Sequence, residues 1–510
     1  MDYRQISRKL GVLILLVGVC MSSSLLWAFM DCCLTGMDIV VNAFVMSVAL
    51  SVVVGVFLIW MGRGRRDDAG RIYRKEAIAI VGLGWFCCGI LGALPYIFSG
   101  VLKNLYSNGP DVIAAAIFES ISGFTGTGAS IFPDVESLPR AILFWRSLTH
   151  WLGGMGIVVL FVAVLGQTGP AAKYLFNSEM PGPVSESIQP RVRKSAILLW
   201  EIYIAISVVE VFCLWVQGMD IFESLCHTFG SMATGGFSTR NKSIGYYNSL
   251  GIELTIILFL VMASINFNLY AAILHGKWRS VLKNKELQVF LSLLVGAIIL
   301  LSLDLLLNRP LVYNAAQAVR VASFQVVSIM TTTGYCTDDF NTWPDLSRWL
   351  LVMLMFIGGS AGSTACGIKV IRVMLFVRLI LLEAELIFRP NVVRPLMIGQ
   401  QQIDDNVRRD VSTYVGLILV LFFVATGLLL VVHNDYCVNP ADHLDLETAF
   451  SAVATTLNGV GPGLNKVGAM GNYAFFTAPA KILLSFLMIL GRLEIMVVLV
   501  LFMPSFWRQN

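Results

Sequence analysis

The sequence predicts an all-α polytopic membrane protein. We expect ten transmembrane helices plus four re-entrant pore helices, in four parallel helix-pore-helix repeats of pseudo-fourfold arrangement. Three observations lead there. First, 57% of the 510 residues are apolar and only 13% are charged, with many apolar runs near the roughly 20 residues that span hydrocarbon as a helix. Second, basic residues cluster at Arg63 to Lys75, Lys173 to Lys194, Lys277 to Lys285 and Lys369 to Arg409. Third, four stretches of small, hydroxylated and glycine residues interrupt the apolar sequence: Thr125-Gly126-Thr127-Gly128, Ala233-Thr234-Gly235-Gly236, Thr331-Thr332-Thr333-Gly334-Tyr335 and Asn458-Gly459-Val460-Gly461.

Residues 1–75 hold an N-terminal helix pair, 8–30 and 40–61, and a basic loop. The run from Leu10 to Phe29 is too long for a secretory leader and lacks a small-residue cleavage site, so it reads as a retained helix. A unit of outer helix, short re-entrant helix, Gly/Thr segment and inner helix then recurs. In the first repeat, 76–194, these helices are 76–100, 111–123 and 140–166. The second, 195–286, has 195–217, 220–231 and 250–275. The third, 287–409, has 287–308, 314–329 and 346–388, with an intramembrane gating loop at 358–368. The fourth, 410–510, has 410–433, 445–456 and 475–503. Each re-entrant segment is about 12 residues, too short to cross a bilayer.

The positive-inside rule makes the four basic loops cytoplasmic, and it places both termini inside, since Arg4, Arg8 and Lys9 precede the first span and Arg508 follows the last. The span count gives the same answer. Net charge is only +4, and topology accounts for the basic clusters without any nucleic acid partner. Ten cysteines form no CxxC pattern and five histidines are scattered, so no transition metal site is expected. Cys20, Cys87, Cys88 and Cys213 read as small core hydrophobes, while a disulfide through Cys32, Cys33 or Cys437 stays open. No Walker A sequence and no GxGxxG opening a strand-helix unit occurs, so no organic cofactor is expected on this chain.

The four interruptions suit a cation path. A cation leaving water loses hydration that hydrocarbon cannot replace, whereas inward-pointing backbone carbonyls can. Glycine reaches the positive φ this requires without steric cost. Non-helical backbone at membrane depth persists only where protein or a water-filled cavity satisfies it, so four such segments imply one shared cavity. Each pore helix ends at its segment and turns the negative end of its dipole toward that cavity. Parallel repeats suit a ring around one axis rather than an inverted-repeat transporter.

The motifs Trp151-Leu152-Gly153-Gly154-Met155-Gly156, Ala233-Thr234-Gly235-Gly236-Phe237-Ser238-Thr239, Gly358-Gly359-Ser360-Ala361-Gly362-Ser363-Thr364 with Gly367-Ile368-Lys369-Val370-Ile371-Arg372, and Asn458-Gly459-Val460-Gly461-Pro462-Gly463 followed by Gly491-Arg492-Leu493-Glu494 occur in order and at repeat spacing. In these the chain resembles the Trk/Ktr/HKT potassium transporter superfamily, in particular its bacterial TrkH/TrkG-type potassium uptake subunits. The resemblance covers essentially the whole chain. It implies potassium ion uptake across the bacterial inner (plasma) membrane, driven by the membrane potential. It also implies a homodimer through the third inner helix, and a cytosolic TrkA-type nucleotide-binding regulatory ring that binds NAD(H) or adenine nucleotides and docks on the basic loops. Membrane lipid is the remaining partner.

Carried over by motif, the resemblance assigns the potassium-binding filter to Thr125, Gly126, Thr127, Gly128; Met232, Ala233, Thr234, Gly235; Thr331, Thr332, Thr333, Gly334; and Asn458, Gly459, Val460, Gly461. Gly459 is the alternative to Gly461 as fourth filter glycine. Departures from the family pattern are Gly126, where threonine is usual, Met232 and Ala233, and Ala365 and Cys366, where glycines are usual. The first three change side chains more than carbonyls and bear on fine selectivity; the last two bear on gating.

The gate comprises Gly358, Gly359, Ser360, Ala361, Gly362, Ser363 and Thr364, together with Arg492. Close helix packing would need only Gly358 and Gly362; seven consecutive small residues read instead as an intramembrane loop that obstructs the cavity. Arg492 costs at least about 2.5 to 3.5 kcal/mol at mid-membrane unless it faces water or a partner. A salt bridge to Glu210 or Glu494 is the structural alternative, although residues two apart do not share a helix face. The resemblance places the arginine in the pore as a barrier to cations. Asn266 and Asn268 either line the cavity or bond across helices, Glu210 and Asp304 read as interhelical partners, and Glu119 as a brace for the filter. Two competing functions are a sodium- or proton-coupled symporter, for which no dense intramembrane carboxylate cluster appears, and an integral-membrane enzyme. For the enzyme, no His/Asp constellation appears at one membrane face: His150, His227, His275, His433 and His443 lie in unrelated repeats.

Overall fold

The computed structural model describes residues 1–35, 38–63, 74–156, 192–390, 397–398, 401–402, 405–437, 443–493 and 495–508. It opens with α1 (Tyr3–Ser22), α2 (Ser24–Thr35) and α3 (Asp38–Met61). Gly11, Gly18, Ser51 and Gly55 let α1 and α3 pack closely: a methyl at Gly11 would lie 2.6 Å from the Gly55 carbonyl oxygen. The outer face of α3 carries exposed Val52, Val53, Val56, Phe57 and Trp60, as a lipid-facing helix does.

Four sets of helices follow. The first is α4 (Arg74–Gly92), α5 (Leu94–Phe98), α6 (Gly109–Thr125) and α7 (Arg140–Gly154). The second is α8 (Val192–Val216), α9 (Ile221–Met232), α10 (Leu250–Ala263), α11 (Phe267–Leu274) and α12 (Trp278–Leu282). The third is α13 (Lys285–Asn308), α14 (Ala315–Met330), α15 (Asp345–Met355) and α16 (Val370–Phe388). The fourth is α17 (Asp405–Tyr436), α18 (Leu446–Asn458), α19 (Ala478–Arg492), α20 (Ile495–Leu501) and α21 (Pro504–Trp507). The two-residue strands β1 (Met397–Ile398) and β2 (Gln401–Gln402) form a small antiparallel pair.

Six of the described segments are long and apolar enough to cross a bilayer, and eight if each of two bent pairs is one span. The expected count of ten further requires the first inner helix, whose stretch beyond Gly154 lies mostly in 157–191, outside the described residues, and the third, which the loop between α15 and α16 divides. The basic stretches 64–73 and 391–396 and Glu494 also lie outside the described residues.

The short helices α6, α9, α14 and α18 are the re-entrant elements, and their starts are written locally. Pro110 opens α6, Asp220 and Asp445 cap α9 and α18, and Asn314 with Gln317 forms a capping box on α14. Their middle and C-terminal residues are buried, Phe118, Phe124, Cys226, Val453 and Leu457 in one apolar cluster and Phe324 and Val327 in a second.

The inner helices depart from expectation. The second was expected to run unbroken over 250–275, yet α10 and α11 meet at 90°. Continuing the helix would have claimed the Ala263 and Ser264 carbonyls. Instead Ser264 accepts Ser360 N–H at 2.9 Å and Ala263 accepts Thr364 N–H at 3.2 Å, while Asn266 caps the new helix by accepting Asn268 N–H at 2.9 Å. Asn266 is thus a helix cap. The fourth inner helix, expected over 475–503, also breaks after Arg492. Lys369 and Arg372, counted in a basic loop, are instead buried beside the intramembrane loop, with the Lys369 ammonium donating to the Ala365 carbonyl.

Candidate functional site: a four-segment filter above a tethered loop

Beyond each re-entrant helix the backbone follows one conformational pattern. Positive φ occurs at Gly126 (70°) and Gly128 (76°), Thr234 (52°) and Gly236 (83°), Thr332 (58°) and Gly334 (85°), and Gly459 (66°) and Gly461 (94°), with a negative-φ residue between the members of each pair. That intervening residue donates its N–H to the carbonyl five positions back: Thr127 to Ser122 at 3.0 Å, Gly235 to Gly230 at 2.7 Å, Thr333 to Ser328 at 2.8 Å and Val460 to Thr455 at 2.9 Å. Alternating handedness with anchored amides leaves consecutive carbonyls free to face one side. Threonine in the left-handed region costs roughly 1–2 kcal/mol, so Thr234 and Thr332 are strained positions that the surrounding core must hold.

The four segments form a closed ring. A methyl group on Gly128 would strike the Gly235 carbonyl oxygen, on Gly236 that of Thr333, on Gly334 that of Val460, and on Gly461 that of Thr127. Gly128, Gly236, Gly334 and Gly461 all line one funnel. The charged side chains lining it are Arg146 and Arg240, and each is met by a carboxylate, Glu119 and Glu223 respectively, both at 2.7 Å. Their charges are thereby offset at the mouth of the funnel.

This geometry corrects the register of the second segment. It runs 233–236, with Gly236 equivalent to Gly128, Gly334 and Gly461; Met232 is the last residue of α9. Gly235 faces the His150 ring. The Thr-Gly-Gly sequence allows either register, and only the neighbouring carbonyls distinguish them. In the fourth segment Gly459 is the helix cap and Gly461 the ring glycine.

Buried polar groups fix the ring from behind. Glu119 pairs with Arg146 and accepts the Ile131 N–H at 2.9 Å and the Ser130 hydroxyl at 3.1 Å. The corresponding positions are His227, whose Nε2 meets Ser238 Oγ at 3.0 Å, and Gln325, whose amide donates to Cys336 Sγ at 3.9 Å; the fourth repeat has Ala452. Sequence reasoning named Glu119 but missed its two polar counterparts, although all lie six residues before their filter segments. It also missed the bridges between repeats. His150 Nδ1 donates to Gly123 O at 2.7 Å, while Nε2 accepts Phe237 N–H at 3.2 Å, a pairing that assigns the neutral ring. The Tyr335 hydroxyl reaches the His227 and Phe237 carbonyls. Tyr473 donates its N–H to Ser130 O of the first repeat at 2.8 Å, while its hydroxyl bonds Gly461 O of its own repeat at 2.8 Å.

Replacing Glu119 by alanine leaves a buried guanidinium without its carboxylate. The expected cost is about 3–5 kcal/mol, read as a large drop in thermal stability of the detergent-solubilised protein; unchanged stability would show that Arg146 finds another partner.

Glu210 accepts the Ser231 hydroxyl on α9, and Asp304 accepts Ser347 Oγ and Asn308 Nδ2. These carboxylates tie helices together.

Below the ring sits the loop between α15 and α16. Its neck is closed by Gly358 N–H to Ile368 O at 2.9 Å and Ile368 N–H to Phe356 O at 3.1 Å. Its tip touches the ring: Cys366 N–H donates to Thr332 Oγ1 at 2.8 Å, and Cys366 Sγ to Thr125 O at 3.5 Å. A methyl on Gly459 would lie 2.9 Å from the same sulfur. Cys366 therefore lies against the inner end of three of the four segments, its side chain against the first and fourth and its backbone amide against the third.

Arg492 holds this tip. Its guanidinium donates to Thr364 O at 2.8 Å, Cys366 Sγ at 3.3 Å and Gly154 O at 2.6 Å, and to Gly153 O. Among the described residues no carboxylate pairs with it, so its charge is spent on carbonyls of the loop and of the end of α7.

Residues 93–509 match the family described as TrkH: Cation transport protein. Over its full length the chain is 36% identical to all of the Trk system potassium uptake protein TrkH of Escherichia coli K12. It is 30% identical, over 85% of the chain and 86% of the relative, to that organism's Trk system potassium uptake protein TrkG. The crystal structure of the potassium transporter TrkH from Vibrio parahaemolyticus superposes with a TM-score of 0.83 at 31% identity, covering 100% of both chains.

Proposed function

The chain belongs to the TrkH family of cation transport proteins, transporters rather than enzymes, and from that premise we propose that it is the potassium-translocating subunit of a bacterial Trk uptake system. Potassium passes through the ring built by 125–128, 233–236, 331–334 and 458–461. The observation that carries this reading is the closed cycle in which each ring glycine abuts a carbonyl of the next repeat, because such a cycle offers an ion replacement oxygens on four sides at once.

The negative-inside membrane potential drives uptake, at about 2.3 kcal/mol per charge per 100 mV. The intramembrane loop and Arg492 form the gate, with Arg492 as the electrostatic barrier beneath the ring. The four-repeat organisation, the ten spans, cytoplasmic termini, insertion in the inner membrane, homodimer assembly and docking of a TrkA-type ring on the basic cytoplasmic face belong to the same proposal. They are supported by full-length similarity to Trk system proteins.

Flux into proteoliposomes, with potassium, rubidium, sodium and lithium compared, tests it. Potassium and rubidium are expected to enter faster than sodium and lithium in proportion to an imposed potential. Absence of potassium flux would refute the proposal, and flux that requires a sodium or proton gradient would replace it with coupled symport.

A further inference from the structure

The intramembrane loop is gripped from the cytoplasmic side as well as by Arg492. Glu286, in the first turn of α13, is buried at 7% exposure, and its carboxylate accepts the Ala361 N–H at 2.7 Å. The Ile371 N–H, just past the other end of the loop, also faces this carboxylate, as does the Lys369 charge. One side chain thus bridges both stalks of the loop. A second grip lies 22 residues earlier, where α10 ends: Ser264 and Ala263 accept the Ser360 and Thr364 amides, and Phe267 N–H donates to Gly362 O at 3.0 Å.

Between these grips runs a single elbow, α11, α12 and the start of α13. Its outer surface is exposed and basic, with Lys277, Arg279, Lys283 and Lys285. The elbow therefore contacts the gate at both of its ends and the cytosol in the middle. We infer that Glu286 is the positioning residue that ties the intramembrane loop to this elbow, so that displacement of the elbow from the cytosol withdraws Cys366 from the filter.

The geometry favours transmission through Glu286 because its one carboxylate, carried on the elbow, faces amides on both sides of the loop. The loop's tip rests on Thr332 and Arg492, its neck closes on itself, the end of α10 holds it through backbone bonds, and Glu286 is the elbow side chain that meets both stalks. A buried carboxylate accepting backbone amides is among the stronger single contacts available there. Sequence alone gave no hint of this, since Glu286 reads as an ordinary acidic residue in the first turn of a helix.

The inference rests on the reading of the ring and loop as filter and gate, and the test separates the two. In proteoliposomes, potassium flux and the rate of Cys366 modification by a cytoplasmic methanethiosulfonate reagent, read by peptide mass spectrometry, are compared for wild type, Glu286→Ala and Glu286→Gln. Alanine removes the acceptor, and both readouts are expected to rise by about tenfold with the potassium-to-sodium ratio unchanged. Glutamine keeps an acceptor oxygen and is expected to stay within about threefold of wild type.

Wild-type labelling of Cys366 in Glu286→Ala, or equal behaviour of the two variants, would overturn the tether. Should the alanine variant not fold, Lys283→Cys, exposed on the elbow, is biotinylated from the cytoplasmic face and loaded with streptavidin. A change of about threefold in potassium flux is expected, and no change would overturn the coupling. Gly334→Ser run alongside isolates the premise: if it leaves ion preference untouched, the filter reading fails, whereas a normal control with an inert Glu286→Ala sinks only the tether.

Discussion

Gly334→Ser is expected to lower the potassium-to-sodium flux ratio by about tenfold or more, equivalent to about 1.4 kcal/mol of lost discrimination. Two effects act together at this position. The backbone sits at φ 85°, a conformation that costs a residue with a β-carbon roughly 1–2 kcal/mol. The added carbon also points at the Val460 carbonyl oxygen and lies 2.5 Å from the Pro462 ring. The neighbouring carbonyl must turn or retreat, and the ring then offers a mismatched set of oxygens to the smaller dehydrated sodium and the larger potassium alike. Parallel flux assays with the two ions read the effect. An unchanged ratio would mean that the ring does not select.

Arg492→Ala is expected to act in the opposite sense on rate and not at all on preference. The guanidinium joins the loop carbonyl of Thr364 to the carbonyls of Gly153 and Gly154, and hydrogen bonds to charged groups contribute about 1.5–3 kcal/mol each. Removing them frees the loop tip and deletes a positive charge from the ion path. Basal potassium flux without any regulatory subunit should rise about tenfold or more, since each 1.4 kcal/mol is a factor of ten in a population. Arg492→Lys restores charge but carries one ammonium where the arginine spans two strands of backbone, so it should fall between the two. If Arg492→Ala conducts no faster than wild type, the arginine is a structural clamp and the gate lies elsewhere.

These predictions turn on side chains of different legibility. Gly334 was legible because a Thr-Thr-Thr-Gly run is a poor helix former, and at membrane depth such backbone must line a cavity or be buried in protein. Arg492 was legible because an arginine in an apolar run must face water or a partner; among the described residues its partners are backbone carbonyls and the Cys366 sulfur rather than Glu210. Cys366 was noticed only as a departure from pattern; its sulfur between Thr125 and Arg492 is a contact across 241 and 126 positions of chain. The partners of His150, Tyr335 and Tyr473 were not legible, since a polar residue in apolar sequence carries no local mark of the distant amide or carbonyl it will meet.

What the sequence determined by itself is whatever depends on length and local backbone freedom. Apolar runs of spanning length make membrane helices because hydrocarbon satisfies no backbone group. The short helices between them cannot cross, and the glycine-rich interruptions after them reach conformations that other residues resist. Tertiary structure decided what depends on neighbours. It chose 233–236 over 232–235, because both registers suit a Thr-Gly-Gly string locally and only one places Gly236 against the Thr333 carbonyl. It bent the second inner helix by 90°, because amides of the loop claimed carbonyls that helix periodicity alone would have paired internally. It also set Glu286 against Ala361, 75 residues apart. Buried polar groups must find partners wherever the fold brings them, and those partners are not written beside them in the chain.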